Sequence, residues 1–280
     1  MKKLSREEFK EHTVNMLIAV TNFLEENNLR YILDYGTLLG CIRHKGYIPW
    51  DDDIDISMPR EDIEKMYKIL EEQDFTINGT LKLADTRNKY STHTFFNKIV
   101  DVNTIADDKL RFKKYRYPIW IDIFPYDLTP KDEATILKAK NYYDKAVASA
   151  MYPLFPHDNQ NIVKKVASKI LAPFVDTRLN IVLKNITELS KKPDAKYYYD
   201  FTSNLTLRKQ YGSKGKSVTD FCYDNSLFDD YTYKSFEGHK FRIPKGYDNH
   251  LSNIYGDYMK LPPKDKQVPH TTATYILDKE

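Results

Sequence analysis

Residues 34–66 read DYGTLLGCIRHKGYIPWDDDIDISMPREDIEKM, and this stretch decides the fold class. The turn Gly36-Thr37 follows an apolar run, RYILDY, that predicts a strand, and it leads into TLLGCIRH, which predicts a short helix. Residues 51–58 then read as a second strand that ends in alternating apolar side chains. Pro59 is typical of a first helical turn and predicts that REDIEKMYKILEE is a helix. The order strand, turn, helix, strand, helix favours an α+β fold.

The rest of the chain extends this pattern on both sides. Ser5 and Glu8 have the spacing of a capping box, which predicts that a helix begins there. Further strands are predicted near 81–84, 94–101 and 118–124, and the pattern is helical from 131 to about 190. We therefore expect a catalytic core over 1–130, a mainly helical region over 131–215 that selects the acceptor, and a C-terminal segment over 216–280 that packs back on the core and completes the site.

Aspartates fill four of the five positions 51–55. Because side chains alternate on a strand, Asp53 and Asp55 share one face and Asp52 points away. Two neighbouring carboxylates raise each other's pKa unless a cation neutralises them, and hard oxygen ligands suit Mg²⁺ or Mn²⁺. Asp122 is polar within the apolar run WIDIF, so it is a candidate third ligand or general base. The alternatives are a solvated acidic turn and, for Asp122, a bond to an arginine or to the backbone.

Residues close to the acidic strand are candidates for binding a phosphorylated substrate. Bare backbone amides and the helix dipole after a Gly-Thr turn are suited to a phosphate, and arginine and lysine side chains neutralise phosphate oxygens. The candidates are Gly36, Thr37, Arg43, His44, Trp50, Arg60 and Lys98. Each also has a structural interpretation: an arginine that pairs surplus carboxylates, a surface histidine, a tryptophan that anchors its loop, or a lysine at a sheet edge.

The composition is that of a soluble globular protein, with 41% hydrophobic and 30% charged residues. A formal net charge of +3 is too small for wholesale nucleic-acid binding, so we expect no nucleic-acid partner. Only two cysteines, Cys41 and Cys222, are present, which is typical of a reducing compartment and predicts a cytoplasmic protein. The segment KLRFKKYRYP (109–118) is either a solvated loop or a surface for an anionic acceptor or the inner face of the membrane.

Four segments of the chain carry a family resemblance. The first is the stretch 34–66, and the others are FNKIVDVNT (96–104), WIDIFPYD (120–127) and IYGDYMKLPP (254–263), which His270 follows. Together they resemble the LicD family, bacterial relatives of fukutin. The resemblance implies a nucleotidyltransferase-like mixed sheet flanked by helices. It also implies transfer of phosphocholine, or a related phospho-alcohol, from a CDP carrier such as CDP-choline to a cell-surface glycan precursor, for example of teichoic acid or lipopolysaccharide.

The resemblance also assigns roles to individual residues. On the family's pattern, Asp53 and Asp55 are metal ligands and Asp122 is the third carboxylate, all three being catalytic. The implied cofactor is Mg²⁺ or Mn²⁺, and the implied acceptor is a glycan or a lipid-linked glycan. His270 is expected to lie against the catalytic region and to help close the donor site.

Two other functions remain open on the sequence. One is a glycosyltransferase that uses an Asp-x-Asp motif to hold a metal and a nucleotide sugar, although only fifty residues precede Asp51 to form a nucleotide-binding half. The other is a non-catalytic, glycan-binding relative that keeps the fold. The presence of all three carboxylates argues against that loss of activity.

Overall fold

The computed structural model describes residues 1–107, 117–154, 162–202, 216–269 and 273–277. Its helices are α1 (Arg6–Glu26), α2 (Tyr35–Arg43), α3 (Arg60–Glu71), α4 (Glu133–Met151), α5 (Ile162–Leu171), α6 (Val175–Thr187), α7 (Ser226–Asp229) and α8 (Tyr247–Tyr255). Its strands are β1 (Lys2–Lys3), β2 (Ile32–Leu33), β3 (Asp55–Pro59), β4 (Thr76–Asn78), β5 (Leu81–Ala84), β6 (Asn97–Asp107), β7 (Tyr117–Thr129), β8 (Tyr197–Tyr199), β9 (Tyr231–Phe236), β10 (His239–Pro244) and β11 (Thr274–Leu277).

Nine of the described strands form one mixed sheet, in the order β1-β11-β6-β7-β3-β2, with β4, β5 and β8 attached at its sides. Strands β3 and β7 run parallel, whereas β6 is antiparallel to β7, β5 and β11. Helix α3 follows β3 directly and packs on both β3 and β7. The α+β architecture expected from the sequence, a mixed sheet flanked by helices, is therefore confirmed.

The side chains of β7 point to the core on one face of the sheet and away from it on the other. Its alternate residues Ile121 and Ile123 are fully buried and belong to the core cluster that also contains α1 and α3. Because side chains alternate on a strand, Asp122 and Phe124 lie on the other face. A second core cluster, which includes Tyr199 and residues of α4, α6 and α8, forms a separate apolar region of the protein.

The first helix forms as the sequence predicts. The Ser5 hydroxyl accepts a hydrogen bond from the Glu8 N–H at 3.1 Å, and the Glu8 carboxylate accepts one from the Ser5 N–H at 2.8 Å. This capping box satisfies two N–H groups that the first turn leaves without helical partners. The apolar stripe of α1 is then buried in the core, as Leu17 and Leu24 show.

Two sequence predictions on the motif differ from the structure in their bounds. The acidic strand begins at Asp55 and not at residue 51, and residues 51–54 form an irregular segment before it. A strand of consecutive aspartates would direct carboxylates into the apolar core as well as away from it, so pairing starts only where apolar residues alternate. Gly36 and Thr37 lie within the first turn of α2, and Asp34 is the N-cap residue.

The helical pattern predicted from 131 to about 190 is confirmed by α4, α5 and α6. Beyond it, the structure contains elements that the sequence did not predict. Strands β9 and β10 form a separate two-stranded sheet, and β11 lies between β1 and β6 in the main sheet. The Tyr275 ring of β11 stacks on Phe9 of α1 with centroids 3.8 Å apart. The division of the chain at 130 and 215 stays a prediction. None of the described helices is both long and apolar enough to cross a membrane.

A buried ion pair fixes the start of α3 against β7. The Arg60 guanidinium donates two hydrogen bonds to the Asp127 carboxylate, at 2.9 and 3.1 Å. The Asp127 side chain is 1% exposed and that of Arg60 is 14% exposed. Arg60 thus pairs with a carboxylate, as one interpretation of the sequence expects. Its partner is Asp127, which lies outside the acidic run 51–55.

We predict that Asp127→Ala lowers the free energy of unfolding by about 3–5 kcal/mol, because it leaves the Arg60 charge buried without its partner. Chemical denaturation measures this change. The matched control is Asp230→Ala, which removes an exposed partner of Lys245 and should cost less than about 1 kcal/mol. Equal losses for the two variants would show that the Arg60–Asp127 pair does not hold α3 in place.

Candidate active site

Two acidic side chains lie side by side on the parallel strands. Asp55 at the start of β3 is the register partner of Asp122 on β7, and the Asp122 N–H donates to the Ile54 carbonyl at 2.9 Å. Both carboxylates are on the face opposite the isoleucine core, and both residues are 7% exposed. The pairing of β3 with β7 therefore brings together two residues that are 67 positions apart in the sequence.

Asp53 completes a group of three carboxylates. One oxygen from each of Asp53, Asp55 and Asp122 lies within 4.8 Å of the others, and we call these residues the acidic trio. Asp53 reaches this position from the irregular segment before β3, so the alternation of a strand is not what places it there. Asp51, Asp52 and Asp53 form a second group with the same spacing of oxygens.

The electrostatics of the trio are unfavourable without a counter-charge. Burial, followed by the charges of Asp53 and Asp122, raises the pKa of Asp55 well above its ordinary value. Burial also raises the pKa of Asp51. Three oxygen donors this close together are the ligand set that a hard divalent cation prefers, and such a cation would offset their repulsion. The residues present thus fit the metal that the sequence led us to expect.

Helix α2 is built against the acidic segment. The Thr37 hydroxyl accepts a hydrogen bond from the Asp55 N–H at 2.8 Å, so it fixes the backbone where β3 begins. At Gly36, a Cβ atom would come within 2.6 Å of the Asp51 carboxylate and 3.7 Å of the Asp55 carboxylate. The first turn of α2 therefore packs so closely on the acidic residues that any Cβ at position 36 would displace the buried Asp51 carboxylate.

Lys98 lies directly across the sheet from a residue of the trio. On β6 it is the register partner of Asp122, and its ammonium group donates a hydrogen bond to the Asp122 carboxylate. The same ammonium lies 4.5 Å from the centroid of the Trp120 ring and 4.9 Å from that of Phe96. Lys98, Asp122 and Asp55 thus form a row across three neighbouring strands.

Arg43, His44 and Trp50 contact one another and the C-terminal part of the chain. The Arg43 guanidinium donates to the Tyr258 carbonyl at 2.7 Å and to the His44 ring at 2.9 Å. The His44 ring makes an edge contact with Trp50, with centroids 6.3 Å apart. His270 and positions 109–116 of the basic segment lie outside the described residues. The roles of these side chains in substrate binding stay predictions.

Sequence reasoning did not single out Asp34, although it is the first residue of the stretch 34–66; it is a fully buried carboxylate beside the site. It accepts hydrogen bonds from the Ser57 hydroxyl at 2.6 Å, the Tyr126 hydroxyl at 3.1 Å and the Tyr35 N–H at 2.7 Å. His250 of α8 donates to it at 2.6 Å. Burial alone would raise the pKa of Asp34, but the charge and hydrogen bond of His250 and the bond from Ser57 outweigh it and lower the pKa.

Tyr255 is another residue that the sequence did not single out, although it lies in the motif IYGDYMKLPP. Burial, and then the charges of Asp55 and Asp51, raise the pKa of its hydroxyl well above the ordinary value. Tyr255 therefore experiences the field of the acidic residues from the C-terminal end of α8. A signal was available in the motif itself, since it was part of the resemblance.

A cavity of about 870 Å³ lies between α3 and α6. Phe96 and Asn97, the two residues before Lys98, line it together with Lys68 and Lys184. Its volume falls within the range of sites for small ligands. Its lining residues include both basic and acidic side chains, and none of the acidic trio is among them.

Comparison with known proteins identifies the family. The family model described as "LicD/FKTN/FKRP, nucleotidyltransferase domain" matches residues 28–161. The chain is 34% identical to the lipopolysaccharide cholinephosphotransferase LicD of Haemophilus influenzae over 281 residues, which cover 99% of this chain and 100% of that protein. The chain belongs to the LicD family.

More distant relatives match only part of this LicD chain. The human ribitol 5-phosphate transferase FKRP is 46% identical over 44 residues, which are 16% of this chain and 9% of FKRP. An uncharacterised protein of Rickettsia prowazekii is 34% identical over 93 residues, or 31% of this chain and 35% of that protein. The family-model match over residues 28–161 includes the acidic trio, Gly36, Thr37 and Lys98.

We predict that Gly36→Ala destabilises the protein by about 1–3 kcal/mol, because the new methyl group overlaps the buried Asp51 carboxylate. Helix propensity alone predicts the opposite sign, since alanine favours a helix over glycine by about 1 kcal/mol. Thermal unfolding of the two proteins decides between these outcomes.

The control for this variant is Gly246→Ala at the start of α8, where a Cβ would meet nothing within 4 Å and φ is −78°. It should change the stability by less than about 1 kcal/mol. A Gly36→Ala protein as stable as the wild type would contradict the close packing of α2 on the acidic segment.

Proposed function

We propose that this protein transfers phosphocholine from a CDP carrier to a hydroxyl of a lipopolysaccharide glycan. The observation that carries the proposal is the acidic trio, which lies within a chain that is 34% identical over 99% of its length to a lipopolysaccharide cholinephosphotransferase. The description of the matching family model supports a nucleotidyltransferase-like assignment for the sheet. Buried carboxylates on adjacent strands are suited to such a reaction, since phosphoryl transfer depends mainly on positioning and on neutralising charge.

The acidic trio is proposed to hold the metal. Asp53, Asp55 and Asp122 would bind Mg²⁺ or Mn²⁺ through their carboxylate oxygens. When bound, such an ion supplies positive charge that stabilises the transferring phosphoryl group and the leaving phosphate. Thr37 contributes by fixing the Asp55 backbone, and Gly36 by allowing α2 to approach.

The chain's own residues provide the other requirements of the reaction. The acceptor oxygen forms a bond to the phosphorus that carries choline, and the bond from this phosphorus to the bridging oxygen breaks, so that CMP leaves. The proton of the acceptor hydroxyl passes to a carboxylate of the trio. Lys98 orients the Asp122 carboxylate through its hydrogen bond and places a positive charge on the same face of the sheet.

Two features favour this function over the alternatives left open by the sequence. A glycosyltransferase would act on a nucleotide sugar, whereas the full-length relative is named for the transfer of a choline phosphate. A non-catalytic relative has no need to keep three mutually repelling carboxylates within 4.8 Å, because their repulsion costs stability.

We predict that Asp55→Asn and Asp122→Asn each weaken Mn²⁺ binding and lower turnover at least about 100-fold, because each removes a charged ligand. Calorimetric titration with Mn²⁺ and release of CMP from CDP-choline measure the two effects. The control is Asp194→Asn, at an exposed position far along the chain, which should leave both unchanged. Normal metal affinity and turnover in either site variant would remove that residue from the metal site.

We further predict that, with Mg²⁺ present, CDP-choline raises the unfolding temperature more than CDP-ribitol, CDP-glycerol or a nucleotide sugar does. A ligand that binds only the folded state stabilises it, and at equal concentration the ligand of higher affinity stabilises it more. The shift should be absent in Asp55→Asn. A shift with a nucleotide sugar and none with CDP-choline would favour the glycosyltransferase instead.

A further inference from the structure

The wall of the site beside the acidic trio is aromatic. Phe124 follows Asp122 by two positions on the same face of β7, roughly 7 Å along the strand. The Phe96 ring lies 4.7 Å from that of Phe124, and the Tyr35 ring contacts Phe124 edge-on at 4.9 Å. All three rings are only partly buried, so each keeps some surface exposed. We call Tyr35, Phe96 and Phe124 the aromatic wall.

This part of the site already holds a cation. The Lys98 ammonium lies 4.9 Å from the Phe96 ring centroid and is hydrogen-bonded to the Asp122 carboxylate. Positive charge is attracted to the face of an aromatic ring, and for Lys98 the Asp122 carboxylate adds to that attraction. The Lys98 ammonium therefore shows that this region of the protein stabilises a positive charge.

The aromatic wall offers few hydrogen-bonding groups to a substrate. Phenylalanine has no polar side-chain atoms, and the Tyr35 hydroxyl donates to Asp200. Ribitol and glycerol carry several hydroxyl groups, which lose hydrogen bonds to water when they lie against such a surface. A trimethylammonium group carries positive charge and has no N–H to satisfy, so it matches the wall in both respects.

We propose that Tyr35, Phe96 and Phe124 bind the trimethylammonium group of the donor and so select choline among the phospho-alcohols. Two carbon atoms separate the phosphate ester oxygen of phosphocholine from its nitrogen. The distance from phosphorus to nitrogen in the ligand is therefore similar to the spacing of Asp122 and Phe124 along β7. A phosphoryl group at the trio would place the ammonium near Phe124. This inference rests on the proposed function, because it assumes that the phosphoryl group lies at Asp55 and Asp122.

The first test uses the wild-type protein with Mg²⁺ and two ligands of the same shape. One is CDP-choline, and the other is its neutral isostere, in which a quaternary carbon replaces the nitrogen. Calorimetry should show that the isostere binds roughly 3- to 30-fold more weakly, which is the range expected for loss of a cation–π interaction. This comparison needs no variant, so it holds even where a substitution disturbs folding.

The second test uses Phe96→Leu and Phe124→Leu, which keep an apolar side chain but remove the ring. Each should weaken CDP-choline binding several-fold and leave binding of the isostere and of CDP-glycerol almost unchanged. Phe124→Trp keeps an aromatic ring at this position and should therefore retain the preference for CDP-choline. The control is Phe23→Leu, a partly buried phenylalanine of α1 that packs on the core.

The outcomes separate this inference from the function on which it rests. Tight binding of CDP-choline with no loss for the isostere or for the leucine variants would overturn the aromatic wall and leave the transferase proposal standing. No binding of CDP-choline to the wild type, when a nucleotide sugar does bind, would overturn both. A preference for CDP-choline that disappears in the leucine variants alone would support the inference.

Discussion

The buried carboxylate of Asp34 is the constraint on which the rest of the site depends. It caps α2 and binds side chains from β3, β7 and α8, so four elements meet at one charged group. A charge with no exposure to water is tolerated only when its oxygens are fully bonded. If α2, β3, β7 or α8 were displaced, the Asp34 carboxylate would lose a hydrogen bond, so the four elements stabilise one another's positions. The position of α2 follows from this, and with it the close approach of Gly36 to the acidic segment.

The acidic trio is the opposite case, because its charges are concentrated and only partly compensated. Lys98 neutralises Asp122, whereas the arginines near the motif are engaged elsewhere: Arg60 with Asp127, and Arg43 with backbone carbonyls. These two arginines are thus bonded to groups other than the trio. Asp53 and Asp55 form no ion pair with either arginine, so the trio keeps attraction for an incoming cation beyond its pairing with Lys98. The buried ion pair of Asp127 and the acidic trio thus use different carboxylates, although Asp122 and Asp127 are only five residues apart on β7.

The sequence allowed the class of fold and the acidic residues to be predicted, because both depend on local patterns. Alternation marked β3 and β7, and a capping box marked α1. Register between strands is not a local property, so the sequence could not show that Asp55 would face Asp122, or that Lys98 would lie on its other side. Asp34 escaped notice because it reads as part of a strand, and its partner His250 lies in a segment without a readable period. The partners of Asp34, Asp55 and Asp122 are set by pairing between distant segments, which produces no periodic pattern in the sequence.

The place of β11 in the sheet has a consequence for how the protein is made. This strand, from residues 274–277, fills the gap between β1 and the long strand β6, so chain segments nearly the full sequence apart are neighbours. A nascent chain leaves the ribosome with β6 and β7 long before β11 or His250 has been synthesised. Until then residues 104–107 of β6 lack their strand partner and Asp34 lacks one of its donors. The site is therefore completed late, and a cell that produces this protein must keep a half-formed sheet from pairing with other chains.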